Sequence, residues 1–193
     1  MSTHAAPATI VPRTGVLADA ALVLAGTALV AGAAQISIPL PFTPVPVTGQ
    51  TFAVLLVGAS LGAVRGFASL FLYLWLGVAG APIYSGHDHG WAVVTSASGG
   101  YLVGFVLAAA LTGVLAERRW DRTLSSSIGA MLTGSTVIYL VGLPWLAVVL
   151  GTNLEKTLED GLYPFVLGDI LKLYLAAALL PAAWRIVGRV ERR

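Results

Sequence analysis

Six apolar runs divide this chain almost from end to end: residues 16–34, 50–64, 66–81, 99–116, 128–150 and 164–187, separated by clusters of Pro, Gly and charge. A helix needs about 20 residues, within a range of roughly 17–25, to cross a hydrocarbon layer about 30 Å thick. In that layer the backbone must satisfy its own hydrogen bonds, so such runs fold as helices packed into a bundle. The second and third runs are short, and only Arg65 and its neighbouring glycines separate them. They read as a tight helical hairpin. The alternative, one long broken segment, leaves five spans.

Charge decides between the two. With six spans and the N-terminus inside, Arg13, Arg65, Arg118, Arg119, Arg122, Arg185, Arg189, Arg192 and Arg193, which are all the arginines of the chain, share the inner side. The outer side then holds only Lys156 among strong bases, beside Asp88, Glu155, Glu159 and Asp160. This satisfies the positive-inside rule, whereas five spans would turn Arg118, Arg119 and Arg122 outward. The expected fold is therefore an all-α membrane protein, a single domain over residues 1–193 with six transmembrane helices in one bundle. Both termini are cytoplasmic, and a polar tail covers residues 1–14. Composition agrees: 57% of residues are hydrophobic and 10% charged, against about 25% charged in soluble domains. A pI near 9.2 could suggest nucleic acid, but the net charge is only +2, and topology accounts for where the arginines fall.

The outer connections differ in character. Residues 35–49 carry Pro39, Pro41, Pro44 and Pro46. Each proline removes a donor and biases its predecessor toward extended geometry, so this segment should lie as a stiff extended cap. Residues 82–98 hold His87, Asp88 and His89, and residues 151–163 are acidic. No internal repeat is visible, nor the pair of matching broken spans that marks inverted-repeat carriers.

Asp169 and Lys172 lie within the last apolar run. Insertion scales charge about 2.5–3.5 kcal/mol for each such side chain, and intramembrane charges are functional by default. Their spacing of three puts them on one helical face, within pairing reach. One reading is a structural ion pair locking the bundle. The other is a site for a small polar molecule, with the acid accepting and the ammonium donating hydrogen bonds. Pro164 suits the first turn of this span, and Asp169 falls about one and a half turns in from its outer end.

Other chemistry finds little support. No Cys is present, which removes thiolate metal sites and Cys nucleophiles. His87, Asp88 and His89 form a weak metal pattern, better read as a solvated loop. Ser96, Ser98 and Ser125–Ser127 lack a His partner and a GxSxG elbow. There is no GxxxxGK[ST], so active transport would draw energy from another subunit or an ion gradient. The first span carries small residues at spacing four, Ala21/Ala25 and Ala28/Gly32, a smooth stripe for a close-packed helix. Asp19 reads as interfacial.

The stretches PVPVTGQTFAVLLVGASLGAVRGFASLFLYLWLGVAGAPIYS (44–85), SGGYLVGF (98–105) and GLYPFVLGDILKLYLAAALLP (161–181) closely resemble the biotin transporter BioY family, substrate-capture S components of energy-coupling-factor (ECF) transporters. The resemblance implies a six-helix bundle in the bacterial cytoplasmic membrane, binding biotin near its outer face. It implies as partners a coupling membrane subunit and two ABC-type ATPases, with biotin as ligand, no resident cofactor or metal, and no catalysis. It places ligand contacts on Asp169, Lys172, Gln50, Tyr84, Gly99, Gly100 and Tyr101, and partner docking on Ala21, Ala25, Ala28 and Gly32. The chain departs from the family at Gly49 and at Ala97-Ser98, where Pro-Thr is usual, although Ser98 keeps a hydroxyl. Other readings are an S component for another vitamin, a proton-coupled solute carrier using Asp169 as relay, and an intramembrane enzyme using the pair as acid and base.

Overall fold

The structure is a computed structural model describing Ile10 and residues 15–190, with side chains to Arg185. The rest of the tail 1–14, including His4 and Arg13, lies outside the described residues, as do Arg192, Arg193 and the side chain of Arg189.

Helix α1 (Val16–Gln35) leads into a two-stranded hairpin, β1 (Ser37–Ile38) with β2 (Val47–Thr48), and then α2 (Gln50–Leu61) and α3 (Ala63–Val78). The short α4 (Trp91–Val94) precedes α5 (Gly99–Glu117), α6 (Leu124–Leu150), α7 (Leu154–Gly161) and α8 (Val166–Val190). Among the described residues four helices, α1, α5, α6 and α8, are long and apolar enough to cross a membrane, while α2 and α3 are apolar but shorter. Large aliphatic side chains such as Leu140, Val148 and Leu171 stay 68%, 82% and 63% exposed, a surface suited to lipid tails rather than water.

Helix α5 forms the centre and packs against α2, α3 and α6. Lipid provides little hydrophobic drive for helices to associate, so close fit and interhelical hydrogen bonds must hold the bundle. The Thr27 hydroxyl of α1 donates to the Ser69 carbonyl of α3 at 2.9 Å, the kind of bond that contributes about 0.6 kcal/mol in a membrane protein. Nearby, Arg65 reaches Asp19 of α1 at 2.6 Å. At the arginine-rich end Asp121 is fully buried and accepts from the indole of Trp184 on α8. The Arg122 guanidinium covers that indole, 3.2 Å from the ring centroid. This cluster ties the α5–α6 connection to α8.

Several boundaries move from where the sequence put them. The break between the second and third runs falls at Gly62, whose φ of +87° few side chains tolerate. Arg65 instead sits in the first turn of α3, 8% exposed, because Asp19 neutralises it there. The acidic 151–163 connection contains a helix, α7, started by the Asn153 side chain accepting from Lys156 N at 2.9 Å. Helix α6 begins four residues before 128, capped by Thr123 accepting from Ser126 N, so Ser125–Ser127 are helical. Pro164 precedes α8, and Asp169 lies in that helix's first turn rather than deeper. The proline-rich connection is not helical, but it is extended only at its ends, paired Ser37 to Thr48 and Ile38 to Val47; its four prolines fall in the turning segment between the strands.

Candidate binding site

The α1–α2 hairpin, the 79–98 connection and the first turns of α2, α5 and α8 gather at one end of the bundle, opposite the arginine cluster. Between them lies a cavity of about 480 Å3, within the roughly 300–1,000 Å3 usual for small-molecule sites. Gln50, Tyr84, Tyr101, Asp169 and Lys172 all line it. Most of the ligand positions read from the sequence, carried on α2, α5, α8 and a loop, therefore meet in one place.

The charged pair is built as follows. Lys172 Nζ donates to Asp169 Oδ1 at 2.9 Å and to Thr51 Oγ1 at 3.2 Å. Thr51 in turn donates to Asp169 Oδ1 at 3.2 Å, and the Tyr139 hydroxyl donates to Asp169 Oδ2. The pair is only partly exposed, 12% for the acid and 19% for the base. A carboxylate offers about four acceptor positions and an ammonium three donors. With three donors already on Asp169 and two acceptors already on Lys172, one acceptor and one donor remain side by side.

The flanking residues are pinned. Gln50, 4% exposed, donates to the Tyr73 hydroxyl at 2.8 Å and accepts from Thr48 at 3.0 Å. Tyr84 donates to the Leu74 carbonyl at 2.6 Å. Burial pushes its phenol up to about 12, so it remains a donor at neutral pH. Tyr101 donates to the Gly161 carbonyl at 2.9 Å. Phe105, Ile138 and Phe165 supply apolar wall, and the hairpin closes one side through Pro44, Val45 and Pro46.

Gly99 and Gly100 are not among the lining residues. They allow close packing instead: a Cβ on Gly99 would stand 1.7 Å from the Val94 carbonyl oxygen, and one on Gly100 2.3 Å from Trp145 Cβ. The departure at Ala97-Ser98 leaves Ala97 buried and Ser98 on the cavity wall. Asp88 and His89 stand exposed at the mouth, and no group of three metal-ligating side chains occurs among the described residues. Thr51 and Tyr139 were missed by sequence reasoning. Thr51 adjoins Gln50, which was a usable hint. Tyr139 is a lone phenol in an apolar run, and nothing in the sequence points it at Asp169.

On α1, Ala21, Ala25, Ala28 and Gly32 are all exposed, while Gly26, Thr27, Val30 and Ala34 face inward. Ala28 and Gly32 also line an almost wholly apolar groove of about 580 Å3 that reaches Lys172 from the lipid side.

The family model described as "BioY family" matches residues 3–189. A "Biotin transporter BioY" from Rhizobium etli is 37% identical over 149 residues, 74% of this chain and 79% of that one. Another from Thermotoga maritima is 36% identical over 153 residues, 79% of this chain and 88% of its own. Among solved structures, the S-component for biotin from an ECF-type ABC transporter superposes with a TM-score of 0.79 at 25% identity, covering 88% of this chain and 92% of that one. Helices apolar enough to span a membrane and transporter relatives make this a multi-pass membrane protein. With nearly its whole length matched by the family model, the chain belongs to the BioY family.

Proposed function

We propose that this chain is the biotin-capture subunit of an ECF-type vitamin uptake transporter. The observation that carries it is the Asp169–Lys172 pair, bridged by Thr51, on the wall of a cavity lined by both polar and apolar side chains. The pair is charge-compensated and presents one free acceptor beside one free donor. A ureido group carries the complement, an N–H beside a carbonyl. Asp169 accepts from the ureido N–H and Lys172 donates to the carbonyl. The fused thioether ring lies against Phe105, Ile138 and Phe165, and the valerate carboxylate points to the mouth. Gln50, Tyr84 and Tyr101 shape the remaining wall. Buried polar groups that all find partners favour tight binding.

Six spans with both ends in the cytoplasm place every arginine of the chain inside, with α2 and α3 as the short spans of a hairpin turned at Gly62. The host membrane is the bacterial cytoplasmic membrane. A coupling membrane subunit with two ABC-type ATPases supplies the energy and docks on Ala21, Ala25, Ala28 and Gly32. The family is one of transporters, so the acid–base enzyme reading gives way.

Competition tests the ligand. The purified protein should retain labelled biotin in the presence of excess unlabelled thiamine or riboflavin and release it to unlabelled biotin. Displacement by another vitamin at equal potency would overturn the assignment.

The hairpin serves as a lid. It lines the cavity, pairs through only two residues per strand, and is tied to the last turn of α7 by Thr43 donating to the Asp160 carbonyl at 2.5 Å. Hydrogen exchange over residues 36–49 should slow when biotin binds. Identical exchange with and without ligand would make the hairpin a static cap.

A further inference from the structure

Tyr139 sits in the apolar middle of α6, where a phenol has few partners, and its hydroxyl donates to Asp169 Oδ2. The ring cannot easily turn away. It meets Tyr101 edge-on, with centroids 6.2 Å apart and planes at 89°. Tyr101 is itself fixed by the Gly161 carbonyl at 2.9 Å. The bond therefore comes from a wedged ring on one helix to a carboxylate on another. It consumes acceptor capacity on Oδ2 of a carboxylate that lines the cavity.

We propose that Tyr139 is a specificity-determining positioning residue: by occupying one acceptor position on Asp169 Oδ2, it leaves the carboxylate a single opening and so favours a urea over a guanidinium in the site. The inference rests on the biotin reading above and goes beyond it. Lys172 and Thr51 fill Oδ1, so the Tyr139 hydroxyl decides whether Oδ2 offers one position or two. A cyclic urea brings two N–H groups and a carbonyl; one N–H meets the open position on Oδ2 and the carbonyl meets the remaining donor of Lys172. A guanidinium has only N–H groups. In the same pose an N–H group replaces the carbonyl, so it needs one more acceptor than the urea, and it sets a positive charge against the remaining N–H of Lys172. Without the hydroxyl, Oδ2 gains an acceptor position and the carboxylate keeps more of its negative charge. Both changes help the guanidinium more than the urea. A ring that only covered the ligand would affect the two alike.

The test compares biotin with 2-iminobiotin, in which an imine replaces the ureido carbonyl and is protonated at neutral pH. Equilibrium binding of both is measured on the purified full chain and on Tyr139→Phe. We expect the preference for biotin to fall at least tenfold in the variant, with biotin weakened and 2-iminobiotin weakened less or strengthened. A preference unchanged within threefold overturns the proposal, whether both affinities fall together or neither moves. Difluorotyrosine at position 139 keeps the ring and strengthens its donor, so the preference for biotin should rise; an unchanged or lower preference would count against the proposal even if Tyr139→Phe folded poorly. Infrared difference spectra of the ligand-free protein, with Asp169→Asn identifying the band, should show the carboxylate stretch shifting between parent and Tyr139→Phe. An unshifted band would overturn the bond whatever ligand the site takes. If the parent binds neither compound, the biotin reading and the urea preference fall together, while the infrared result still reports on the bond itself.

Discussion

Replacing Asp169 by Asn or Lys172 by Ala should lower biotin affinity at least about 30-fold, the lower end of the roughly 2–5 kcal/mol that follows when one partner of a buried, hydrogen-bonded charge pair is lost. In the free protein Lys172, Thr51 and Tyr139 all converge on Asp169. The Asn variant puts a neutral amide where three donors expect a carboxylate and leaves the ammonium without its counter-charge. The Ala variant leaves the carboxylate without its cation and removes the donor for the ureido carbonyl. Folding should survive both changes, since the pair lies at one end of the bundle while α5 holds the centre. Radioligand titration of the purified variants checks this. Parent-like affinity in either would make the pair a structural lock and move the site elsewhere.

Ala21→Trp and Ala25→Trp should each abolish coupled uptake while leaving biotin binding intact. Both alanines are exposed, on the face of α1 away from Gly26, Thr27 and Val30, so an indole there costs the isolated bundle little. It would hold off a partner helix that packs by close backbone approach. The cavity draws on α2, α4, α5, α6, α8 and the loops, with no residue of α1 in its wall, so the binding site should be untouched. The measurement is paired: biotin binding by each purified variant, and ATP-dependent uptake in vesicles containing the coupling subunits. Normal uptake in both variants would move docking to another face. Loss of binding as well would point to damage of the bundle.

How much of this could be read in advance depends on the range of the forces involved. Apolar run length is an average over many residues, and it located the long helices α1, α5, α6 and α8. The prolines at 39, 41, 44 and 46 act on their own backbone, and they keep residues 39–46 out of helix, although the chain turns there rather than staying extended. Asp169 and Lys172 are one turn apart on a single helix, so their pairing was legible in their spacing. Thr51 and Tyr139 reach Asp169 from α2 and α6, across sequence separations of 118 and 30, and no local pattern records such a meeting. Helix α7 is eight residues long, too short for periodicity to show, and rests on its Asn153 cap. Gly99 and Gly100 came from family resemblance as ligand contacts, but their neighbours Val94 and Trp145 give them a packing role. Gly62 ends a helix through its positive φ, whereas the charge of Arg65 drew attention to the wrong place.

Calorimetric titration of the purified chain with biotin shows whether the chain captures the vitamin unaided. Saturable binding of one biotin per chain is expected, without ATPases or coupling subunit, with chemically unchanged biotin on recovery. No saturable heat, or a recovered compound altered by the protein, would rule out a biotin-capture subunit.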